Sequence, residues 1–522
     1  MVAASELPID TGASATDMAN EIFGDGVTVI NASYTGDNRS SGTYSDGDAV
    51  SGEVTPGDTG VMLSTGRLSS FTNRNGNANQ SSSTSRNTNG VDNDSDFNAL
   101  AGTNTYDAAI LDVDFIPTGD TMTMQFVFAS DEYPEYTNSV YQDAVGVWIN
   151  GVEVPLAVGN GDSDPGNINS TNNQNLYNDN TSSQFNTEMD GFTVTMTLTI
   201  PVYDGVLNSI RIGIADVSDS SYDSTLIIAG GSVQTAVIAH DDSTHLTANQ
   251  TKTIDVLGND TSAGSLTVTH INNVAVVVGT TVTLTTGQTA TLNADGSITL
   301  VGDGTNEDFT FTYGIDDGTN ADTGIVTVSS VPCFVAGTLI RTPNGEFPVE
   351  DLQVGDLVET YDDGPQPLRW VGTRTVPATG DFAPIRIAPN TLGHHDELLV
   401  SPLHRVLIRD CVAELLFGES EVLVAAKDLV NDRTIRRVSG GDVNYLHLLF
   451  DRHQIVFSEG LATESFLPGP QTKNCLEAEV AAEIYALFPE IDPESGEGYS
   501  PAARRTLKRF EAELLAQEAQ VA

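Results

Sequence analysis

Short alternating segments constrain this chain more than anything else in it. TMTMQFVFAS (121–130) and DAAILDVDFIP (107–117) switch between apolar and other residues and then stop at turn formers. GFTVTMTLTIPV (191–202) and SIRIGIADV (209–217) continue the pattern. A period of two places alternate side chains on opposite faces of a strand, whereas an amphipathic helix needs about 3.6 residues per turn. GVWINGVEVPL (146–156) reads as a hairpin with Asn150-Gly151 as its two-residue turn. Residues 72–98 form a Ser/Asn/Thr/Gly tract, either a long loop or a disordered insert. ATDMANEIFG (15–24) is the one helix signal here, ended by Gly24. Many short strands between turns predict a β-sandwich over 1–235.

Residues 236–331 read as a second β unit. They run from AVIAHDDSTHL through TIDVLGNDTSAGSLTVTHI to a closing hairpin, FTFTYGIDDGTNADTGIVTVSSV. Asp241, Asp242, Asn259, Asp260, Asp316 and Asp317 sit in its turns. Clustered turn oxygens suit calcium, which takes six to eight of them. The same residues also populate turns because they cap local backbone. Calcium is therefore an expectation for Asp241, Asp242, Asp260, Asp316 and Asp317, without EF-hand or nonapeptide spacing behind it. Asp131, Glu132, Asp219 and Asp223 in the first region stand under the same two readings.

Charge narrows the partners. The 522 residues carry a formal net charge of −50. Residues 1–332 hold 6 Lys+Arg against 42 Asp+Glu, net −36, and residues 333–522 hold 16 against 30, net −14. Such a surface argues against phosphate backbones and anionic membranes. No run of about 18 apolar residues is present, so no membrane span is expected. The first residues lack the basic end and apolar core of a secretory leader. The three cysteines, Cys333, Cys411 and Cys475, are too few and too far apart for a disulfide framework or a zinc site.

Three stretches of the first region, FVFASDEYPEY (126–136), FNTEMDGFT (185–193) and IADVSDSSYDST (214–225), resemble the bacterial choice-of-anchor L family. That resemblance implies an exported, adhesin-like module with a cell-surface or matrix ligand. The second unit resembles the cadherin-like or immunoglobulin-like modules of bacterial surface proteins.

Residues 332–475 change character. Arginine rises, and LIRTPNGEFPVEDL pairs two short strands across Asn344-Gly345. DLVETYD, PLRWVG, PIRIAP, ELLVSPLHRVLI, EVLVAAKDL and NYLHLLFDRHQIVFSEG add further strands, so this unit is expected to be all-β. After it, 476–489 and 501–517 show helical spacing, with Ser500 as a cap and Pro501 in the first turn, giving a helical extension over 476–522.

Cys333 opens this region, and Ser401, His404, His447 and His453 follow. A cysteine with histidines elsewhere in one small domain is a candidate nucleophilic set. Alone, a buried cysteine reads as a small apolar residue and a lone histidine as a hydrogen-bonded core residue. CFVAGTLIRTPNGEFPVEDLQVGDLV, SPLHRVLI and YLHLLFDRHQIVFSEG, in that order, resemble the blocks of Hint domains, the hedgehog/intein fold. Ser401 stands where that family usually has Thr, and His404 and His453 match its histidines. His447 falls near a position where relatives carry Asp or Cys.

The resemblance implies a β-rich horseshoe and autoprocessing in cis without a cofactor, the chain's own upstream part being the substrate. The Cys333 thiolate attacks the carbonyl carbon of Pro332, and an N-to-S acyl shift makes a thioester. His404 is the expected general acid. Ser401 either orients that group or donates to the oxyanion. Gly337, Thr338, Gly345, Gly355 and Asp356 are expected to be structural. Splicing inteins end in His-Asn. Here GLATESFLPG supplies Glu464-Ser465 instead, so cleavage or transfer of the N-terminal part is expected, not splicing. Asn474-Cys475 lacks the preceding histidine and reads as an ordinary pair. The alternative is a non-cleaving, adhesin-like binding protein whose Hint domain is structural. The expected location is outside the cell or on its surface, by a route without a leader; otherwise it is the cytoplasm.

Overall fold

The structure is a computed structural model. It describes residues 2–137, 139–158, 161, 163–244, 246, 250–303, 309–328, 333–378, 383–410, 412–413, 419–431, 433–468, 484, 487–488, 499–507, 512 and 515. The chain is mostly β and divides into two compact units. The first holds residues 1–242, 253–300 and 309–327. The second holds 243–252, 301–308 and 328–522. Among the described residues no helix is long and apolar enough to cross a membrane.

The first unit contains the expected sandwich. One sheet orders Val27–Thr35, Thr105–Pro117, Asn208–Val217, Ala144–Ile149 and Val152–Glu153. The other has eight strands, among them Gly60–Ser64, Ser224–Ala229, Thr121–Ser130 and Met196–Pro201. Alternation decides which residues meet. Ala109, Leu111, Val113 and Phe115 point into a core shared with Met122, Met124, Phe126, Phe128, Leu226 and Ile228. Ala108 and Ile110, on the opposite face, join Phe97 and Trp148 in a second cluster. Each fully buried Leu, Ile, Met or Phe contributes about 1.5–3 kcal/mol relative to exposure. One charge among them would break the layer.

Local signals resolve as physics requires. The expected helix forms over Ala15–Ile22, started by Ser14 and Asp17 in a reciprocal capping box and burying Met18, Ala19 and Ile22. Phe23 ends it. Gly24 serves another purpose: a Cβ there would stand 2.1 Å from the Gly231 carbonyl oxygen. In the 144–153 hairpin Ile149 pairs with Val152, and Asn150 and Gly151 take φ of 50° and 81°. Those are the left-handed values a two-residue hairpin turn demands. The 72–98 tract is a loop up to the helix Ser95–Ala101. Its amides find side-chain acceptors: Arg86 N donates to Asp223 Oδ1 at 2.6 Å and Thr88 N to Asp107 Oδ1 at 3.1 Å. In the second β module, Ala321–Val328 and Thr267–Ile271 flank Phe309–Asp316. Phe311, Tyr313, Ile315 and Ile325 are buried there.

The second unit also has two sheets. One runs Trp370–Pro377, Asp442–Leu449, Phe334–Val335, Leu398–Val400, Ile385–Ile387 and Ile435–Arg437. The other includes Leu339–Thr342, Gly345–Pro348, Ile455–Ser458, Leu461–Glu464, Arg405–Arg409 and Glu421–Ala425. Phe334, Ile340, Val400, Val406, Leu446 and Leu448 belong to the core between them.

Two local expectations shift. The hairpin at 339–348 turns one residue early: Thr342 pairs with Gly345, so Pro343 and Asn344 are the central residues. Pro343 presets the first turn position, and Gly345 takes the φ of 118° at the exit. Residues 501–507 are not helical. Leu423 N donates to Arg505 O and Leu507 N to Leu423 O, both at 2.8 Å, which holds this segment extended along Glu421–Ala425. Ser500 is not a helix cap; its Oγ accepts from His453 N at 2.7 Å. Most of 476–489 and 508–517 lies outside the described residues.

Candidate functional site

Register builds the site. Phe334 pairs with Leu446 on one side and with Val400 on the other, both antiparallel. Carried back one residue, the same two registers set Cys333 opposite His447 and Ser401. A slip of one residue in either neighbour would turn its side chain to the other face.

The contacts follow. Cys333 Sγ lies 3.4 Å from His447 Nε2. Cys333 N–H donates to Ser401 Oγ at 2.7 Å, and Ser401 N donates back to Cys333 O at 2.9 Å. Cys333, Ser401 and His447 are 4%, 3% and 2% exposed, so bulk water does not screen the contacts between them. The amide nitrogen held by Ser401 is that of the Pro332–Cys333 bond. Ser401 Oγ thus faces this nitrogen and accepts from it. Pro332 lies outside the described residues, as do Cys411 and Cys475.

An aromatic wall orients His447. Its ring stacks on Trp370 at 6.2 Å between centroids and meets Phe466 edge-on at 5.3 Å. Gly372, opposite His447 in the ladder, leaves the space the indole needs: a Cβ there would fall 2.0 Å from the Trp370 ring. Cys333, Trp370, Tyr445 and Phe466 share one hydrophobic cluster.

His404 stands one step away. Its backbone N donates to Ser401 O at 3.0 Å, closing the Ser401–His404 turn. Its ring packs edge-on against Phe334 at 4.4 Å. Neither ring nitrogen has a hydrogen-bond partner among the described residues. Burial holds this imidazole down to about 4, against a counter-pull from Glu464, so it is neutral at neutral pH.

His453 is placed differently. Its Nδ1 accepts from Ala503 N at 2.9 Å, so the ring proton sits on Nε2. That nitrogen faces Ser465 O at 3.2 Å and Glu464 Oε2 at 3.5 Å. The structure therefore gathers Cys333, Ser401 and His447, sets His404 beside them, and engages His453 with Glu464 and the 499–507 segment. Glu464 is the residue the sequence reading missed. It is fully buried, accepts from Arg405 N at 2.9 Å and pairs with Arg405 Nη1 at 3.1 Å. Burial alone would raise its carboxyl. The hydrogen bond from His453 and the charge of Arg405 bring it below the ordinary value. A carboxylate inside the strand motif LATE was the available signal, since strands rarely bury acids unpaired.

The residues expected to hold calcium divide into two sets. Asp316 and Asp317 cap their own turn: Asp316 Oδ1 accepts from Gly318 N, and Asp317 Oδ1 accepts from Thr319 N and Asn320 N. Asp241 Oδ1 accepts from Ile325 N at 3.1 Å. Asp260 Oδ1 accepts from His240 N at 2.8 Å and from the Tyr313 hydroxyl at 3.0 Å. Burial raises Asp242 to about 8 and Asp260 to about 7.

Two family models match separate parts of the chain. Residues 332–470 match the Hint domain family, and residues 8–234 match the choice-of-anchor L domain family. No curated protein matches. Among solved structures, the gp41-1 intein is similar at 14% identity over 26% of this chain and 98% of its own, with a TM-score of 0.18. The MchDnaB-1 intein is similar at 13% over 25% and 98%, also with a TM-score of 0.18. The chain thus carries a choice-of-anchor L domain at residues 8–234 and a Hint domain at residues 332–470.

Proposed function

We propose that the Hint domain processes its own chain at the Pro332–Cys333 bond. One observation carries this reading: the Cys333 thiol is 3.4 Å from His447 Nε2 while the amide nitrogen of the same residue is held by Ser401 Oγ at 2.7 Å. His447 takes the thiol proton. The thiolate forms a bond to the Pro332 carbonyl carbon, and the carbon–nitrogen bond breaks as Ser401 relays the proton taken up by His447 to the departing amine. His404, neutral and close by, assists that proton transfer. A thioester now joins the upstream chain to Cys333, and an acceptor nucleophile takes the upstream part away. General acid–base help of this kind is worth roughly 10²–10⁴ in rate. The choice-of-anchor L domain supports a surface or extracellular location for the part released or transferred.

The test is a denaturing gel of full-length protein with and without thiol or hydroxylamine. Fragments that meet at 332/333 and vanish in Cys333→Ala support the reading. A chain that stays intact under both nucleophiles sinks it and leaves the Hint domain as the structural end of a binding protein.

A further inference from the structure

The first unit buries acids that the Cys333 chemistry does not use. Glu132 follows the strand Thr121–Ser130 and Asp143 precedes Ala144–Ile149. Asp216 sits at the end of Asn208–Val217, and Asp223 precedes Ser224–Ala229. The Asp143 amide donates to Glu132 Oε2 at 2.8 Å, so strand ends from both sheets meet here. The 72–98 loop already occupies part of this group, since its amides bind Asp131, Asp223 and Asp107. Asp143 and Asp216 are left over. They are 1% and 2% exposed, and Asp143 Oδ2 and Asp216 Oδ1 have no hydrogen-bond partner among the described residues.

The two carboxyls lie within hydrogen-bonding reach of each other. The Ser224 hydroxyl, which donates to Ser130 Oγ at 2.8 Å, lies beside Asp143, and Thr65 Oγ1, which accepts from Ser224 N at 3.0 Å, lies beside Asp216. No Lys or Arg appears among the groups acting most strongly on either. Two dry, touching carboxylates cannot both stay ionised without a cation between them. Every available donor is a hard oxygen, which suits calcium and not a transition metal. Among the described residues no three His, Cys, Asp or Glu side chains converge at metal-ligand spacing, so neutral oxygens have to complete the shell.

We propose that Asp143 and Asp216, with the hydroxyls of Thr65 and Ser224, form a buried calcium site at one end of the choice-of-anchor L sandwich. The site is separate from the turn acids of the second β module.

Full-length chain stripped with EDTA and titrated with Ca²⁺ at pH 8 by calorimetry tests this. The expected result is saturable binding with a rise in Tm. Asp143→Asn and Asp216→Asn should each weaken binding by roughly tenfold or more, and Asp260→Asn should leave it unchanged. Absence of binding, or wild-type affinity in both Asn variants, overturns the proposal. Should the variants fail to fold by far-UV circular dichroism, the wild-type chain decides.

Discussion

Both units bury carboxylates, and they compensate them in opposite ways. Glu464 in the Hint unit is met by Arg405 and His453 and stays ionised despite full burial. Asp143 and Asp216 in the first unit meet each other and Glu132, and burial drives them well above the ordinary carboxylate range. The first arrangement is a closed ionic cluster in the same unit as the proposed reaction centre. The second is open, since it needs protons or a cation from outside. Composition prepares the contrast, because only 6 of the 22 Lys and Arg lie before residue 333.

The comparison breaks most sharply at the nucleophile. Cys333→Ala should abolish processing outright while both units keep their melting transitions, as seen by gel and calorimetry. His447→Ala should slow processing by roughly 10²–10⁴, measured as the first-order loss of the intact band.

Glu464→Gln tests the ionic cluster itself. Removing one partner of a fully buried pair costs about 3–5 kcal/mol. Arg405 is 29% exposed and recovers some hydration, so a loss of about 2–3 kcal/mol is expected for the Hint unit by denaturant unfolding. The first unit should not respond.

Acid should move the two units in opposite directions. In the first unit Asp131 is raised to about 8 and Asp322 to about 7, both by burial. Such groups bind more protons folded than unfolded, so they stabilise at low pH, and that stability fades as pH rises from about 4 toward 8. In the Hint unit His404 is lowered to about 4 by burial. It binds fewer protons folded, so its contribution is complete above about 6.5 and is lost as pH falls through 4. Calorimetry in EDTA at pH 5 and pH 8 should show the first transition higher at pH 5 and the second higher at pH 8. Parallel shifts would remove the contrast. The smallest effect is expected from Gly372→Ala, which pushes the Trp370 ring off its place: about 1–3 kcal/mol, with a slower reaction because His447 loses its stacking surface.

Much of this was legible in the chain, and the limits have physical reasons. Alternation located the sandwich strands because a period of two survives without tertiary help. Ser14-x-x-Asp17 and Asn150-Gly151 encode their cap and turn within a few residues. Cys333, Ser401 and His404 could be selected from ordered blocks. What brings Cys333 to His447 is strand register across 114 residues, which no local pattern contains. Glu464 first read as the absence of a terminal Asn, since its meaning comes from Arg405, 59 residues earlier. Asp143 and Asp216 meet only where the ends of two strands far apart in sequence converge, which no local pattern contains. The non-helical 501–507 segment follows the same rule: partners at Leu423 and His453 outweigh a helical spacing.

Cys333 sits between two neighbouring strands, and this has a kinetic consequence. Under the acyl shift proposed above, an amine released from the Pro332 carbonyl would not diffuse away, because the sheet keeps it at Ser401 beside the Cys333 sulfur. Return of the acyl group to nitrogen is then intramolecular, with the very high effective concentration that such tethering confers. The bond would open and reclose many times before anything is lost. Net processing would then be set by how soon an acceptor intercepts the open form, and the proposed reaction would work as a reversible latch released by its acceptor.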